Sequence, residues 1–213
     1  MPKDQFSHVT EWVFDLDNTL YPPHMRLFDQ VDRLMTDFVM RATGADHARA
    51  DHLRKTYWQD YGTTLAGLMA HHQVEPESYL IEVHDIDFSV LQPDPGLRAA
   101  IRRLPGRRIV YTNGSAPYAR NVIRARGLEG LFDAVYGVED AGFHPKPTPQ
   151  AFQRVFAQDG LDPGRAAMFE DDPRNLKVPH ELGMRTVLVT PEPLARDFIH
   201  YHTDDLTGFL ERL

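Results

Sequence analysis

The sequence predicts an α/β fold: a parallel sheet core with an inserted all-helical segment. From Pro93 onward, short apolar strands alternate with helical segments, the pattern of a parallel sheet covered on both faces. Between residues 22 and 92 the apolar residues recur at helical spacing, with no strand pattern among them. One apolar run stands ahead of that stretch, so the first strand is cut off in sequence from its partners. The expected division is a core of residues 1–21 and 93–213 and a helical insertion of residues 22–92.

Residues 11–16 (EWVFDL) read as a buried strand, broken by Asp17-Asn18-Thr19 and then Tyr21-Pro22-Pro23. A helix is expected over 24–43, where Leu27, Val31, Leu34/Met35 and Phe38/Val39 share a face and Gly44 stops it. A second covers 46–61, with Leu53, Tyr57 and Tyr61 aligned and Gly62 following. Shorter helices fall at 64–72 and 76–84, the latter opened by Pro76, which suits a first helical position. Beyond Pro93-Asp94-Pro95 the order is helix 95–104, strand 108–112, helix 116–126, strand 134–138, helix 149–159, strand 166–170, helix 173–182 and strand 185–190. There is no internal repeat and no low-complexity segment.

With 213 residues, 42% of them hydrophobic, the chain can bury one compact core with a modest insertion. Its formal net charge is −8 and its pI about 5.7, and no Lys/Arg block stands out, which argues against a nucleic-acid partner. An acidic chain that handles phosphate must concentrate positive charge locally, through a lysine, a metal or helix N-termini. The lack of cysteine excludes disulfides, thiolate metal sites and cysteine nucleophiles, and fits a reducing compartment. MPKDQFSHVT has no apolar signal region, and no apolar run approaches the roughly 20 residues of a membrane helix. The expectation is a soluble cytoplasmic monomer or dimer without a membrane partner.

In a parallel sheet the ligand crevice lies beyond the carboxyl ends of the strands. Three predicted strands end there in polar residues: Asp15 and Asp17 after the first, Thr112 and Asn113 after the second, Glu170, Asp171 and Asp172 after the fourth. Side chains at i and i+2 of an extended segment point the same way. Asp15 can thus act as a nucleophile toward phosphorus while Asp17 protonates the leaving oxygen and later accepts a proton from water. Thr112, Asn113 and Gly114 offer a hydroxyl, an amide and free backbone N–H groups to phosphoryl oxygens. Lys146, flanked by Pro145 and Pro147, is an ammonium on a stiff loop, suited to offsetting phosphate and nucleophile charge. Three successive acids repel one another unless a cation joins them. Mg²⁺, which prefers oxygen ligands, would take Asp15, the backbone carbonyl of Asp17 and Asp171, with Glu170 or Asp172 holding bound water. Each motif also has an ordinary structural reading: a turn at Asp17–Thr19, a helix cap at Ser115, an exposed lysine turn, an acidic N-cap before Pro173. Their order and common location favour chemistry.

These residues resemble the haloacid dehalogenase-like hydrolase superfamily. Asp15-Leu16-Asp17-Asn18-Thr19 is similar to its first motif, Thr112-Asn113 to its second, Lys146 to its third and Glu170-Asp171-Asp172 to its fourth, over about residues 11–190. The resemblance implies a Rossmann-like core, a helical cap domain at 22–92 that closes over substrate, and Mg²⁺-dependent phosphomonoester hydrolysis through an aspartyl-phosphate. Asp17-Asn18-Thr19-Leu20-Tyr21-Pro22, the segment Val83–Phe88 through Leu97-Arg98 and the run Pro173–Lys177 look like the pyrimidine 5′-nucleotidase branch. That branch implies nucleoside monophosphates such as UMP or CMP. Phosphoglycolate or a sugar phosphate, or phosphosugar mutation, is the alternative. Haloacid dehalogenation is disfavoured by Asp17, since a halide needs no acid. One departure is Asn175, where many relatives carry a second fourth-motif aspartate. Tyr57, Trp58 and Tyr61 are read as core rather than as a base-stacking platform, and His84 as a helix-end residue.

Overall fold

A computed structural model describes residues 2–213, with side chains from Asp4 onward. Six strands form one sheet: β1 (Glu11–Phe14), β2 (Arg107–Tyr111), β3 (Ala134–Tyr136), β4 (Ala166–Glu170), β5 (Arg185–Val189) and β6 (Tyr201–Thr203). Their order is β3-β2-β1-β4-β5-β6, and all pairs are parallel. The sheet is thus Rossmann-like. β1 lies at its centre, with Phe14 level with Val110 on one side and Phe169 on the other. The chain runs outward from β1 to β3 and returns to the opposite flank at β4. Strand order therefore reverses between β1 and β4, where a ligand crevice forms.

The apolar run of β1 is explained by burial on both faces. Trp12 and Phe14 enter a core shared with Val110, Phe169, α1 (Pro2–Phe6), α6 (Pro95–Arg103), α7 (Ala116–Ala125) and α10 (Leu206–Glu211). Val13 points the other way, into a core with Ile109, Met168 and the Phe152 and Phe156 side chains of α8 (Pro149–Asp159). Phe14 and Phe169 stack across the first core at 4.9 Å. No helix among the described residues is long and apolar enough to cross a membrane.

Four helices lie between β1 and α6: α2 (Leu27–Thr43), α3 (His47–Tyr61), α4 (Thr64–His72) and α5 (Pro76–Val83). They gather around a separate apolar cluster that includes Val39, Tyr57, Leu68, Tyr79 and Val83 and is joined by Val138 from beyond β3. Asp46 caps α3 by accepting from the Arg49 N–H at 2.9 Å, and Thr63 caps α4 by accepting from Ala66 at 3.1 Å. Gly67 lets α4 approach α3, since a Cβ there would lie 2.2 Å from Cγ of Tyr57. Both ends of the helical stretch are tied to one buried arginine. Arg126 donates to the Leu20 carbonyl at 3.1 Å, to the Gln92 carbonyl and to Asp94 at 2.7 Å.

The departures from expectation are local. Pro23–Met25 forms a 3₁₀ turn, and Arg26, at φ 56°, separates it from α2. The helix expected over 173–182 divides into a 3₁₀ turn, Pro173–Leu176, and α9 (Lys177–Glu181). The first strand ends at Phe14 rather than residue 16, although the Asp15 N–H still bonds the Phe169 carbonyl at 2.9 Å. Neither α1 nor the terminal pair β6 and α10 was expected.

Candidate active site

Asp15 leaves the central strand at the reversal point and is 5% exposed. Beyond it the chain turns sharply: the Leu16 carbonyl accepts from Thr19 at 3.3 Å and Leu20 at 2.9 Å, and Asn18 adopts φ 57°. Asparagine tolerates that left-handed conformation better than most residues. The turn brings Asp17 back to line the same cavity as Asp15.

Lys146 reaches Asp15 from the opposite side. Its Nζ donates to Asp15 Oδ1 at 2.8 Å, to Glu170 Oε2 at 2.7 Å and to the Tyr111 carbonyl at 3.0 Å. These three bonds use every N–H of the ammonium, and the side chain is 1% exposed. Asn113 secures the lysine from behind: its Nδ2 donates to the Lys146 carbonyl at 3.0 Å and its Oδ1 accepts from the Lys146 N–H at 2.8 Å. Both ends of the Asn113 amide are thus engaged with the lysine backbone. Thr112 Oγ1 accepts from the Gly114 N–H at 2.9 Å, and both residues line the cavity.

The carboxylates of Asp15, Glu170 and Asp171 each offer an oxygen within 4.8 Å of the others. Asn18 donates to Asp171 Oδ2 at 3.3 Å. Asp172 is differently employed: it caps the turn that follows by accepting from the Arg174 N–H at 3.0 Å, and it pairs with the Arg174 guanidinium at 2.6 Å.

The charges do not balance within this group. Burial, with the Glu170 charge adding to it, pushes the Asp15 carboxyl up to about 8 against the pull of Lys146. Burial and the charges of Glu170 and Asp15 likewise raise Asp171 well above the carboxylate range. Burial alone would lower Lys146, but Asp15 and Glu170 outweigh it and hold the ammonium charged. One ammonium thus faces three crowded carboxylates. An oxygen-only ligand set with surplus negative charge fits a hard dication. Asn175 adds to that fit: it lines the cavity, is buried, and its Oδ1 has no hydrogen-bond partner in the protein. An acceptor there can receive a bond from a water of a metal's shell.

Asp17 has another kind of surrounding. Its Oδ1 accepts from the Tyr21 hydroxyl at 2.7 Å and from the Tyr118 hydroxyl at 2.6 Å. Burial raises its carboxyl despite these two donors. Sequence reasoning missed both tyrosines. The adjacency of Tyr21 to the Asp17 turn was a usable signal; Tyr118, 101 residues away, gave none. His84, at the end of α5, stacks on the Tyr118 ring at 4.2 Å and lies 3.2 Å from Ser115 Oγ. Burial lowers its imidazole to about 4, so it is neutral at neutral pH.

The cavity above these groups measures about 430 Å³. Its outer wall comes from the four-helix unit, including Phe28, Val31, Met35, Arg54 and Leu80. Trp58, read from sequence as core, is instead 45% exposed and also lines the cavity, with the Arg174 guanidinium 3.7 Å above its ring. Tyr57 is buried in the helical cluster as expected.

Comparison with known proteins agrees with this geometry. Phosphate metabolism protein 8 of Saccharomyces cerevisiae is 26% identical over 191 residues, covering 82% of this chain. The match spans only 60% of that protein's length. A crystal structure of a HAD phosphatase from Thermococcus onnurineus shares the fold at a TM-score of 0.65, with 18% identity over 96% of this chain and 97% of that one. CbbY from Rhodobacter sphaeroides, solved in complex with phosphate, does so at 0.66, with 18% identity over 94% of this chain and 96% of that one. The sequence model for haloacid dehalogenase-like hydrolases matches residues 13–183, a stretch that begins within β1 and extends past Asp15, Lys146 and Asp171; the chain belongs to the haloacid dehalogenase-like hydrolase family.

Proposed function

We propose that this chain is a Mg²⁺-dependent phosphomonoesterase that works through an aspartyl-phosphate, with nucleoside 5′-monophosphates, pyrimidine ones foremost, as substrates. One observation carries the reading: two aspartates two residues apart have different hydrogen-bond partners. Asp15 is paired with a buried ammonium, whereas Asp17 meets only neutral hydroxyl donors. The Lys146 charge stabilises an anionic nucleophile at Asp15, while burial, which outweighs the two hydroxyl donors, lets Asp17 carry a proton.

The reaction follows from that division. An Asp15 oxygen attacks phosphorus as the ester P–O bond breaks, and Asp17 gives its proton to the departing alkoxide. Water then attacks the phosphorus of the aspartyl-phosphate, passing a proton to Asp17, and the bond from phosphorus to Asp15 breaks. Inorganic phosphate and an alcohol leave, and both carboxyl groups return to their starting states. Lys146 offsets the negative charge on Asp15 and on the phosphoryl oxygens. Thr112 and Gly114 line the place those oxygens would occupy. Asp15, Asp171 and the Asp17 carbonyl would hold Mg²⁺, with Glu170 beside them, and the ion would neutralise phosphoryl charge. The four-helix unit would act as the cap over the leaving group.

Support for a nucleotide comes from the wall of the cavity. Its apolar side chains suit a flat ring, and the Arg54–Asp32 pair, joined at 2.6 Å, puts a donor and an acceptor side by side there. The test is phosphate release from UMP, CMP, purine monophosphates, ribose 5-phosphate, phosphoglycolate and p-nitrophenyl phosphate. Pyrimidine monophosphates are expected to give the highest kcat/KM, and Asp15→Asn to abolish turnover on all. A preference for phosphoglycolate would overturn the nucleotide assignment, and an active Asp15→Asn protein would overturn the mechanism.

A further inference from the structure

We propose that Tyr21 and Tyr118 are positioning residues that commit one oxygen of Asp17 to the protein and reserve the other, Oδ2, for proton transfer. This deepens the phosphatase reading and rests on it. Both phenols donate to the same atom, Oδ1, at 2.7 and 2.6 Å. They approach from different elements: Tyr21 from the turn after β1, Tyr118 from the first turns of α7. Two donors on one oxygen fix the carboxyl plane as well as its rotamer, since turning the plane away would strand both hydroxyls. Both rings are buried, at 1% and 2% exposure.

Tyr118 is itself held in place by several neighbours. A Cβ at Gly114 would lie 2.9 Å from Cδ1 of Tyr118, so the glycine after Asn113 makes room for this ring. Ser115 caps α7 by accepting from the Tyr118 N–H at 3.3 Å, and the same oxygen lies 3.2 Å from Nδ1 of His84. The His84 ring covers the Tyr118 ring nearly parallel, at 10°. His84 stands where the helical unit returns toward the core, so the seat of the phenol is built from both parts of the chain. The segment Thr112–Ser115 thus acquires a second task besides facing substrate: it places the hydroxyl that orients the acid.

A misaligned acid matters most when the leaving group needs its proton. The experiment compares kcat/KM for a nucleoside monophosphate, whose alkoxide needs protonation, with that for p-nitrophenyl phosphate, whose phenolate departs more easily. The ratio kcat/KM reports steps up to leaving-group departure, so slow breakdown of the phosphoenzyme does not mask the effect. Tyr118→Phe keeps the ring and its stack on His84. It is expected to cost the nucleotide reaction at least about tenfold more than the aryl ester reaction, within the range that general acids contribute. In an Asp17→Ala background the same change should add no further loss, because the hydroxyl has nothing left to orient. Equal losses on both esters, or a loss that persists without Asp17, would show packing alone and overturn the proposal. Tyr21→Phe, in the same two backgrounds, gives an independent reading should Tyr118→Phe melt early. A wild-type protein inert toward both esters would instead overturn the phosphatase reading beneath it.

Discussion

Lys146→Met tests the electrostatics of the site directly. Methionine matches the lysine stem in length and apolar character, so the change removes mainly the ammonium and its bonds to Asp15, Glu170 and the Tyr111 carbonyl. Removing one partner of a buried ion pair typically costs about 3–5 kcal/mol, because the other charge stays buried and uncompensated. In a chain of this size each kcal/mol lowers Tm by about 2–4 °C, giving an expected fall of about 6–20 °C. The fall should depend on pH in a definite sense. Asp15 already sits at about 8 with Lys146 beside it, and losing the cation raises it further, so below that value a proton can neutralise the carboxylate in place of the ammonium. Metal-free Lys146→Met protein should therefore lose least at about pH 6 and most at about pH 9. Added Mg²⁺ should restore part of the stability at the higher pH, since a dication satisfies the same carboxylates. Activity should fall by about 10²–10³ in kcat, the usual cost of removing one preorganised charge partner. Differential scanning calorimetry across pH, with and without Mg²⁺, and phosphate release supply the measurements. A Tm within about 2 °C of wild type at high pH, together with kcat within about threefold, would refute the reasoning.

Four other outcomes are expected. Metal-free wild type should lose stability as pH rises: the Asp15 carboxyl moves from 3.8 to about 8 on folding, so its contribution is complete below about 4 and is lost on rising through about 8, and a flat or rising thermal-melt profile would contradict this. For the same reason Mg²⁺ binding near neutral pH should release protons, measured by calorimetry in buffers of different ionisation heat, and zero release would contradict the crowded-carboxylate account. Asp17→Asn should lose about 10²–10⁴-fold on alkyl esters, yet still form phosphoenzyme from p-nitrophenyl phosphate; mass spectrometry should detect the adduct, and equal losses on both substrate types would remove the acid role. Arg174→Ala removes the guanidinium stacked at 3.7 Å on Trp58 and a 3.3 Å bond to the Trp58 carbonyl. It should shift Trp58 emission and raise KM by about 2–30-fold, from the worth of a cation–π contact. Trp12, the other tryptophan, is 2% exposed and should not respond.

What was legible in the sequence was whatever depended on local pattern. The apolar strands show because β1, β2, β4 and β5 are buried on both faces, and their carboxyl ends then assign Asp15, Thr112 and Glu170 to one rim. β6 and α10 were missed because three-residue and six-residue elements at a sheet edge carry little periodicity. Proline blurred other boundaries: Pro173 and Pro179 stand in the stretch that divides into a 3₁₀ turn and α9. Pairwise partners across long separations were not legible. Nothing near Asp17 indicates Tyr118, and nothing near Leu20 indicates that Arg126, 106 residues later, binds its carbonyl. Asn113 reads as a ligand-facing amide, yet its side chain meets the backbone of Lys146 on both sides, a contact visible only once β2 and the lysine loop are adjacent. Trp58 and Tyr61 stand beside Tyr57 in the sequence, but only Tyr57 is buried; Trp58 turns toward Arg174 and Tyr61 is 36% exposed.

The position of Asp15 explains why these contacts must come from so far apart. A carboxylate at the end of the central strand is flanked by β2 and β4, which screen it from water and raise the cost of its charge. Neighbours on its own strand cannot relieve that cost: Phe14 and Leu16 are apolar and fully buried. Relief has to arrive over the ends of the flanking strands, and it does. Beyond β2 comes Asn113, which holds the Lys146 loop, and beyond β4 come Glu170 and Asp171, which with Asp15 can take a cation. Each supply alone is inadequate. Lys146 without a metal leaves Asp15 at about 8, and a dication without Lys146 leaves one of the three clustered carboxylate charges unmatched. On the proposed mechanism the two cations together keep Asp15 ionised at neutral pH, while Asp17, outside this group and held by phenols, is free to carry the proton. Substituting Asp15 and Asp17 for one another's roles is therefore not a matter of the side chain, which is the same, but of which strand ends surround it.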